Sequence, residues 1–195
     1  MKIEKKSFLV LIFTIFYTIL FIFLAIRIDN MEFVFYILFE SIILIFLILY
    51  YKKVHLSLFM LVLISLLLFM HFAGGNFFIN GTRLYDVMYK DIIRYDNIVH
   101  FLWGFVFTFI AYNILVPHLD KKVKHNSFLF AAILVLITSG GGALVEIQEF
   151  LGVVFFEAAK GVGSYVNNAL DLVYNSIGAV IASIILVKYH RKIKK

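Results

Sequence analysis

Six apolar stretches divide the chain, each long enough to cross a bilayer and each set off from the next by polar residues. Runs of about 18 or more apolar residues are the mark of a transmembrane helix. The pattern predicts spans over roughly 7–28, 31–51, 54–72, 97–117, 127–156 and 169–190. Very short turns join the first three, which makes an up-down-up series. The longest connection, about 24 residues between the third and fourth spans, holds Gly74, Gly75, Gly81, three Asp, two Arg and one Lys. A connection this long in a compact protein is usually functional or ordered against the bundle. The expected fold is all-α: a polytopic membrane protein with one domain over 1–195, a bundle of six transmembrane helices, and a long extracytoplasmic loop over 73–97. The first run follows Lys2, Lys5 and Lys6. It is longer than a signal-peptide core and lacks a small-residue cleavage site, so it is expected to be a retained helix.

Composition agrees with this picture. Of 195 residues, 63% are hydrophobic and 15% charged; a soluble domain carries about 25% charged residues. The absence of cysteine excludes disulfides, thiolate metal sites and cysteine nucleophiles together. A net charge of +6 could suggest nucleic acid, but the basic residues flank apolar runs. With the N-terminus inside, thirteen Lys and Arg fall on the inner side and five on the outer. The outer five are Arg27, Arg83, Lys90, Arg94 and Lys160. That bias predicts a cell-membrane protein with both termini cytoplasmic.

Against this background four polar groups stand out: His71 before Gly74-Gly75, Asp96 with His100, Glu146 with Glu149, and Asp171 with Asn175. The topology brings all four to the outer face. Ionisable residues in spans are costly and mark functional sites by default. Residues three and four apart share a helix face. Three stripes follow: Asp96, His100 and Gly104; Gly142, Glu146 and Glu149; Asn168, Asp171, Asn175 and Gly178. Small residues continue each polar stripe, as close helix packing requires. Ser139-Gly140-Gly141-Gly142 is either a tight crossing point or a break in the fifth helix.

Histidine and carboxylates are ligands for zinc or another divalent ion. A His–Asp pair also serves as general base and orienter, and buried carboxylates can relay protons. The candidate catalytic residues are His100, Asp96 and Glu149. The candidate metal ligands are His100, Glu146, Glu149 and Asp171. His71, Asn168, Asn175 and Glu40 are candidate supporting or substrate-contacting residues. Glu40 lies mid-span and must be protonated, paired or facing a wet cavity. Blander roles compete: Asp96 as a helix cap, Asp171 and Asn175 as interhelical hydrogen bonding, Glu149 as a solvated interface residue. His55, His118, His125 and His190 read as solvated loop or interface residues. Trp103 and the tyrosines near span ends read as interfacial anchors. Asn80-Gly81-Thr82 fits a glycosylation sequon.

His71-x-x-Gly74-Gly75, Tyr95-Asp96-x-Ile98-x-His100-Phe101, Glu146-x-x-Glu149 and Asp171-x-x-x-Asn175-x-x-Gly178 resemble the YjdF family of small multi-pass membrane proteins. The likeness runs from His71 to Ala182. The last three motifs more distantly resemble the VanZ-like group, which has Asp-x-x-x-His, Glu-x-x-Gln and Asp-x-x-x-Asn-x-x-Gly. Val99 stands where YjdF-like chains have Gly, and Asn167 where they have Asp. VanZ-like chains carry an Arg between the last two motifs, where this chain has only Lys160. The resemblance implies a shared outer-face site and no particular reaction.

Three function classes follow. The leading one is a metal-dependent or acid–base enzyme acting on a lipid or lipid-linked headgroup, with a divalent metal ion as cofactor and membrane lipids as partners. The second is a small proton- or ion-coupled transporter or flippase-like protein. The third is a structural or accessory membrane subunit. An enzyme needs a pocket closed below; a transporter needs a polar route continuing inward, where Glu40 and Asn113 are nearly all the sequence offers.

Overall fold

The structure is a computed structural model that describes residues 4–50, 56–90, 92–156 and 165–193. Lys2, Lys52, Lys53, His55, Asp91, Lys160, Lys194 and Lys195 lie outside the described residues. Among the described residues, six long helices are apolar enough to cross a membrane: α1 (Lys5–Arg27), α2 (Met31–Leu49), α3 (Leu58–Asn76), α4 (Tyr95–Leu115), α6 (Ser127–Phe156) and α7 (Tyr165–Ile193). A short surface helix, α5 (Lys121–His125), leads into α6. The molecule is an all-α polytopic bundle.

Helix ends follow local chemistry. Asn30 caps α2 by accepting from the Phe33 N–H, and its Nδ2 donates to the Gly75 carbonyl at 3.1 Å, tying the start of α2 to the end of α3. Ser57 caps α3 through the Met60 N–H. Asn97 accepts from the Arg94 N–H at 3.1 Å and fixes the entry to α4. The third helix runs on to Asn76 instead of ending near residue 72, so Gly74 and Gly75 are helical. Both make room: a Cβ on Gly75 would collide with the Phe33 ring, and one on Gly74 would meet the Tyr85 ring at 2.9 Å.

Between α3 and α4 the chain forms two small hairpins around one 3-10 turn. Strands β1 (Phe78–Ile79) and β2 (Thr82–Arg83) pair antiparallel through Asn80-Gly81. Asn80 (φ 51°) and Gly81 (φ 81°) both adopt the left-handed backbone, which a two-residue Asn-Gly hairpin turn demands. The sequon residues are thus a hairpin turn in this fold. After the turn Leu84–Asp86, strands β3 (Met88–Tyr89) and β4 (Ile93–Arg94) pair the same way. Tyr85, on the turn, is buried against α3.

Helices α1, α2 and α3 pack around one core with Trp103 and Val106 of α4. Buried polar contacts join α1 to α3: Thr14 donates to Ser65 at 2.8 Å and the Tyr17 hydroxyl donates to the Ser65 carbonyl at 2.6 Å. Helices α4, α6 and α7 form the other half, with α4 and α7 in the most extensive contact. Glycine explains the intimacy. A Cβ on Gly104 would run into the Asn175 carbonyl, and one on Gly178 into the Phe101 carbonyl. The two backbones therefore meet directly, as small residues permit in membranes. Helix α6 is unbroken through its three glycines. Gly142 lies against Asn175, with 3.0 Å from a built Cβ to Nδ2, so Gly142 is a crossing point; Gly140 faces open space.

Two expectations are corrected. Trp103 is buried, with its ring against His71 and Phe107. It fills the core beneath a polar site instead of anchoring the interface. His190 is also buried: the Tyr112 hydroxyl is 2.9 Å from its Nδ1 and Phe130 packs on its ring. A last-turn histidine on a helix extended to residue 193 still lies within the bundle. His118 and His125 are exposed.

Candidate functional site

Connectivity places the C-terminal ends of α1, α3 and α6 beside the N-terminal ends of α2, α4 and α7. Contacts across this end bear it out: the Tyr95 hydroxyl donates to the Met70 carbonyl at 3.1 Å, and a Cβ on Gly152 would meet the Tyr36 hydroxyl at 2.6 Å. The polar stripes converge here.

His100 is the centre of the first cluster. Its Nε2 lies 3.4 Å from Asp96 Oδ1 and 3.8 Å from Asp171 Oδ1. On the other edge of the ring, Nδ1 lies 3.3 Å from Asn175 Nδ2 and 4.0 Å from Glu146 Oε1. Asp96, His100 and Asp171 each offer one ligand atom within 4.8 Å of the others, so this group could hold a metal ion. Asn167 sets the two aspartates. Its Nδ2 donates to Asp96 Oδ2 at 3.2 Å and to Asp171 Oδ2 at 2.8 Å, while its Oδ1 accepts from Arg94 Nη1 at 2.7 Å. One oxygen of each aspartate is thereby occupied, and the other is turned toward His100 Nε2. An amide can bridge two carboxylates in this way; a carboxylate at 167 would have added a third negative charge.

The satisfied groups are less informative than the unsatisfied ones. Both oxygens of Glu146, Asp171 Oδ1 and Asn175 Oδ1 are buried without a hydrogen-bond partner. All four are acceptors. Buried polar atoms are nearly always paired, and clustered carboxylates repel unless a cation or shared protons intervene. One buried donor beside Asp171, Asn97 Nδ2, also lacks a partner, but acceptors outnumber donors here, and such a site suits a cation. The residues present therefore fit a divalent ion, with Asp96, His100 and Asp171 as direct donors. With Nδ1 accepting from Asn175, the ring proton sits on Nε2. Were Nε2 to hold a metal, the ring proton would reside on Nδ1, the edge that faces Glu146 Oε1 at 4.0 Å and the Asn175 amide at 3.3 Å. Such partners commonly orient a ligating histidine.

Glu149 sits apart from the imidazole. It lines a polar cavity of about 30 Å³ together with Asp96, Asn167, His71, Tyr85, Glu32 and Arg83. That volume admits one or two waters or an ion. Arg83 also bonds Asp86 at 3.2 Å. Asn168 is half-buried at the head of α7.

Glu40 and His71 form a second cluster on the far side of that cavity. Glu40 Oε1 lies 3.0 Å from His71 Nε2, and both side chains are buried. The Tyr85 hydroxyl meets His71 Nδ1 in a short hydrogen bond. Phe33 and Trp103 close around the imidazole. Burial pushes the Tyr85 phenol well above its ordinary range, so at rest it carries its proton and can donate it to His71. Sequence reasoning missed Tyr85, Arg83 and Glu32. The length and glycines of the 73–97 connection were the available signal, but its pattern does not say which loop residue turns inward.

Residues 9–192 match the family described as Predicted membrane protein (DUF2238). The chain belongs to this family. It is the one to which the YjdF-like motifs point; the more distant VanZ-like resemblance is not part of the match. No curated protein and no solved structure matches the chain.

Proposed function

We propose that this DUF2238 member is a metal-dependent membrane enzyme acting on a lipid or lipid-linked headgroup at the outer face. One observation carries the proposal: buried acceptor oxygens of Glu146, Asp171 and Asn175 without partners surround the Asp96–His100–Asp171 donor group. A divalent ion held by Asp96, His100 and Asp171 would polarise a substrate oxygen or lower the pKa of a bound water. Asn167 holds the two aspartates in place, and Glu146 with Asn175 steadies the imidazole. Glu149 faces the adjoining polar cavity, where it is placed to exchange a proton with a substrate group. The excess of Lys and Arg at the opposite end of the bundle supports N-in, C-in topology, which puts this site outside.

Glu40, buried at mid-span, favours a second reading as a proton-coupled transporter. Against it, the space beyond Glu40 is lined by apolar side chains, so the polar route stops there. The two are separated by lipid mass spectrometry of cells expressing the wild type or Asp171→Asn. The enzyme reading expects one headgroup or lipid-linked class to shift with the wild type and not with the variant. Identical lipid profiles, with Asp171-dependent solute flux across reconstituted vesicles, would establish the transporter.

A further inference from the structure

The Glu40–His71–Tyr85 chain separates two cavities of opposite character. On one side lies the polar cavity of about 30 Å³, to which both His71 and Tyr85 contribute. On the other lies a cavity of about 80 Å³ lined by Glu40 with Leu44, Leu67, Trp103 and Val106 among its apolar walls. Apart from Glu40 and the indole N–H of Trp103, its lining side chains carry no polar atom. A buried water needs two to four polar partners, so no water chain can continue beyond Glu40. Glu40 Oε2 and His71 Nε2 are both buried with no hydrogen-bond partner: Nε2 lies 3.0 Å from Glu40 Oε1 in ion-pair contact without hydrogen-bond geometry, so proton transfer between them needs a small turn of the imidazole. A carboxylate that served only to staple α2 to α3 would have both oxygens satisfied. It would also have no need of a hydroxyl on the far side of the imidazole.

We propose that Tyr85, His71 and Glu40 form a one-sided proton relay, in which Glu40 exchanges protons with the polar cavity through His71 and Tyr85 and not with the apolar side. In the inward step the Tyr85 O–H bond breaks as its proton passes to His71 Nδ1. The His71 Nε2–H bond breaks as that proton passes to Glu40 Oε1. Tyr85 regains a proton from a water or substrate group in the polar cavity. One proton leaves the cavity and one arrives at Glu40, and no electron moves. The outward step is the reverse. Glu40 is then a proton store inside the bilayer for chemistry in the polar cavity, not a stage in transport across the membrane. The helical Gly74-Gly75 pair serves this arrangement by admitting the Tyr85 and Phe33 rings over His71. The relay does not depend on whether Asp96, His100 and Asp171 hold a metal.

The test is exchange of the His71 ring proton with solvent deuterium, followed by NMR on the full chain labelled with 15N-histidine, with His71→Gln to assign the signal. In the wild type, exchange proceeds far faster than for the neighbouring α3 amides. Tyr85→Phe keeps the ring packing and removes the hydroxyl; it slows exchange by about tenfold or more, which corresponds to about 1.4 kcal/mol of added barrier. Gly74→Ala, which displaces the Tyr85 ring while leaving Glu40 intact, slows it likewise and decides the matter if Tyr85→Phe does not fold. Wild-type exchange as slow as the α3 amides, or unchanged rates in a folded variant, overturns the proposal.

Discussion

Asn167 and Glu146 illustrate how single side chains set the site. Asn167 holds one oxygen of Asp96 and one of Asp171, so Asn167→Ala frees two carboxylates to repel. We expect that variant to weaken divalent-ion affinity by roughly 10–100-fold, the usual loss for a partner of a metal ligand, as isothermal titration would read. Glu146→Gln removes a buried charge whose oxygens have no partner. It should leave thermal stability in detergent unchanged or raised while lowering ion affinity within the same range; a variant that unfolds instead would make Glu146 a structural residue. The cluster was legible from residue spacing because Asp96, His100, Glu146, Asp171 and Asn175 recur at helical intervals. The division of labour was not. Whether Asp96 or Glu146 lies on the Nε2 side of His100 depends on the rotation of α6 against α4, which no spacing within one helix encodes.

At the level of elements, α4, α6 and α7 are held together by glycine crossings and a few buried hydroxyl contacts, such as Thr108 to Thr138 at 3.0 Å between α4 and α6. Gly104→Ala should destabilise the bundle by about 1–3 kcal/mol, the range for overpacking, because the atoms nearest its Cβ belong to the Asn175 backbone, which cannot swing aside as a flexible side chain can. Gly140→Ala is the control. Nothing lies within 4 Å of its Cβ, so it should gain up to about 1 kcal/mol from helix propensity. Thermal unfolding of both in one detergent checks the contrast, and equal behaviour would contradict the crossing. Span existence was readable from hydropathy alone, and the fifth span matched its observed limits. The end of α3 was missed because Gly74 and Gly75 look like a helix stop. In the fold they are the gap through which Phe33 and Tyr85 reach His71. The inward turn of Tyr85 depends on that contact and left no periodic trace. Trp103 likewise looked like an anchor because its role rests on a partner in another helix.

For the whole molecule, orientation decides what the site can meet. Since the chain has no native cysteine, a Cys at Thr82 should react with an impermeant reagent in intact cells and one at Lys122 should not; the reverse pattern would put the site on the cytoplasmic face. The deeper claim is that the site end of the bundle is a divalent-metal centre. Metal content of the purified protein after dialysis against trace zinc, manganese or magnesium tests it most directly, with Asp171→Asn as the control. The account predicts about one ion of a single kind per wild-type chain and close to none in a folded Asp171→Asn. No ion above background in the wild type, or equal loading of the variant, would contradict it.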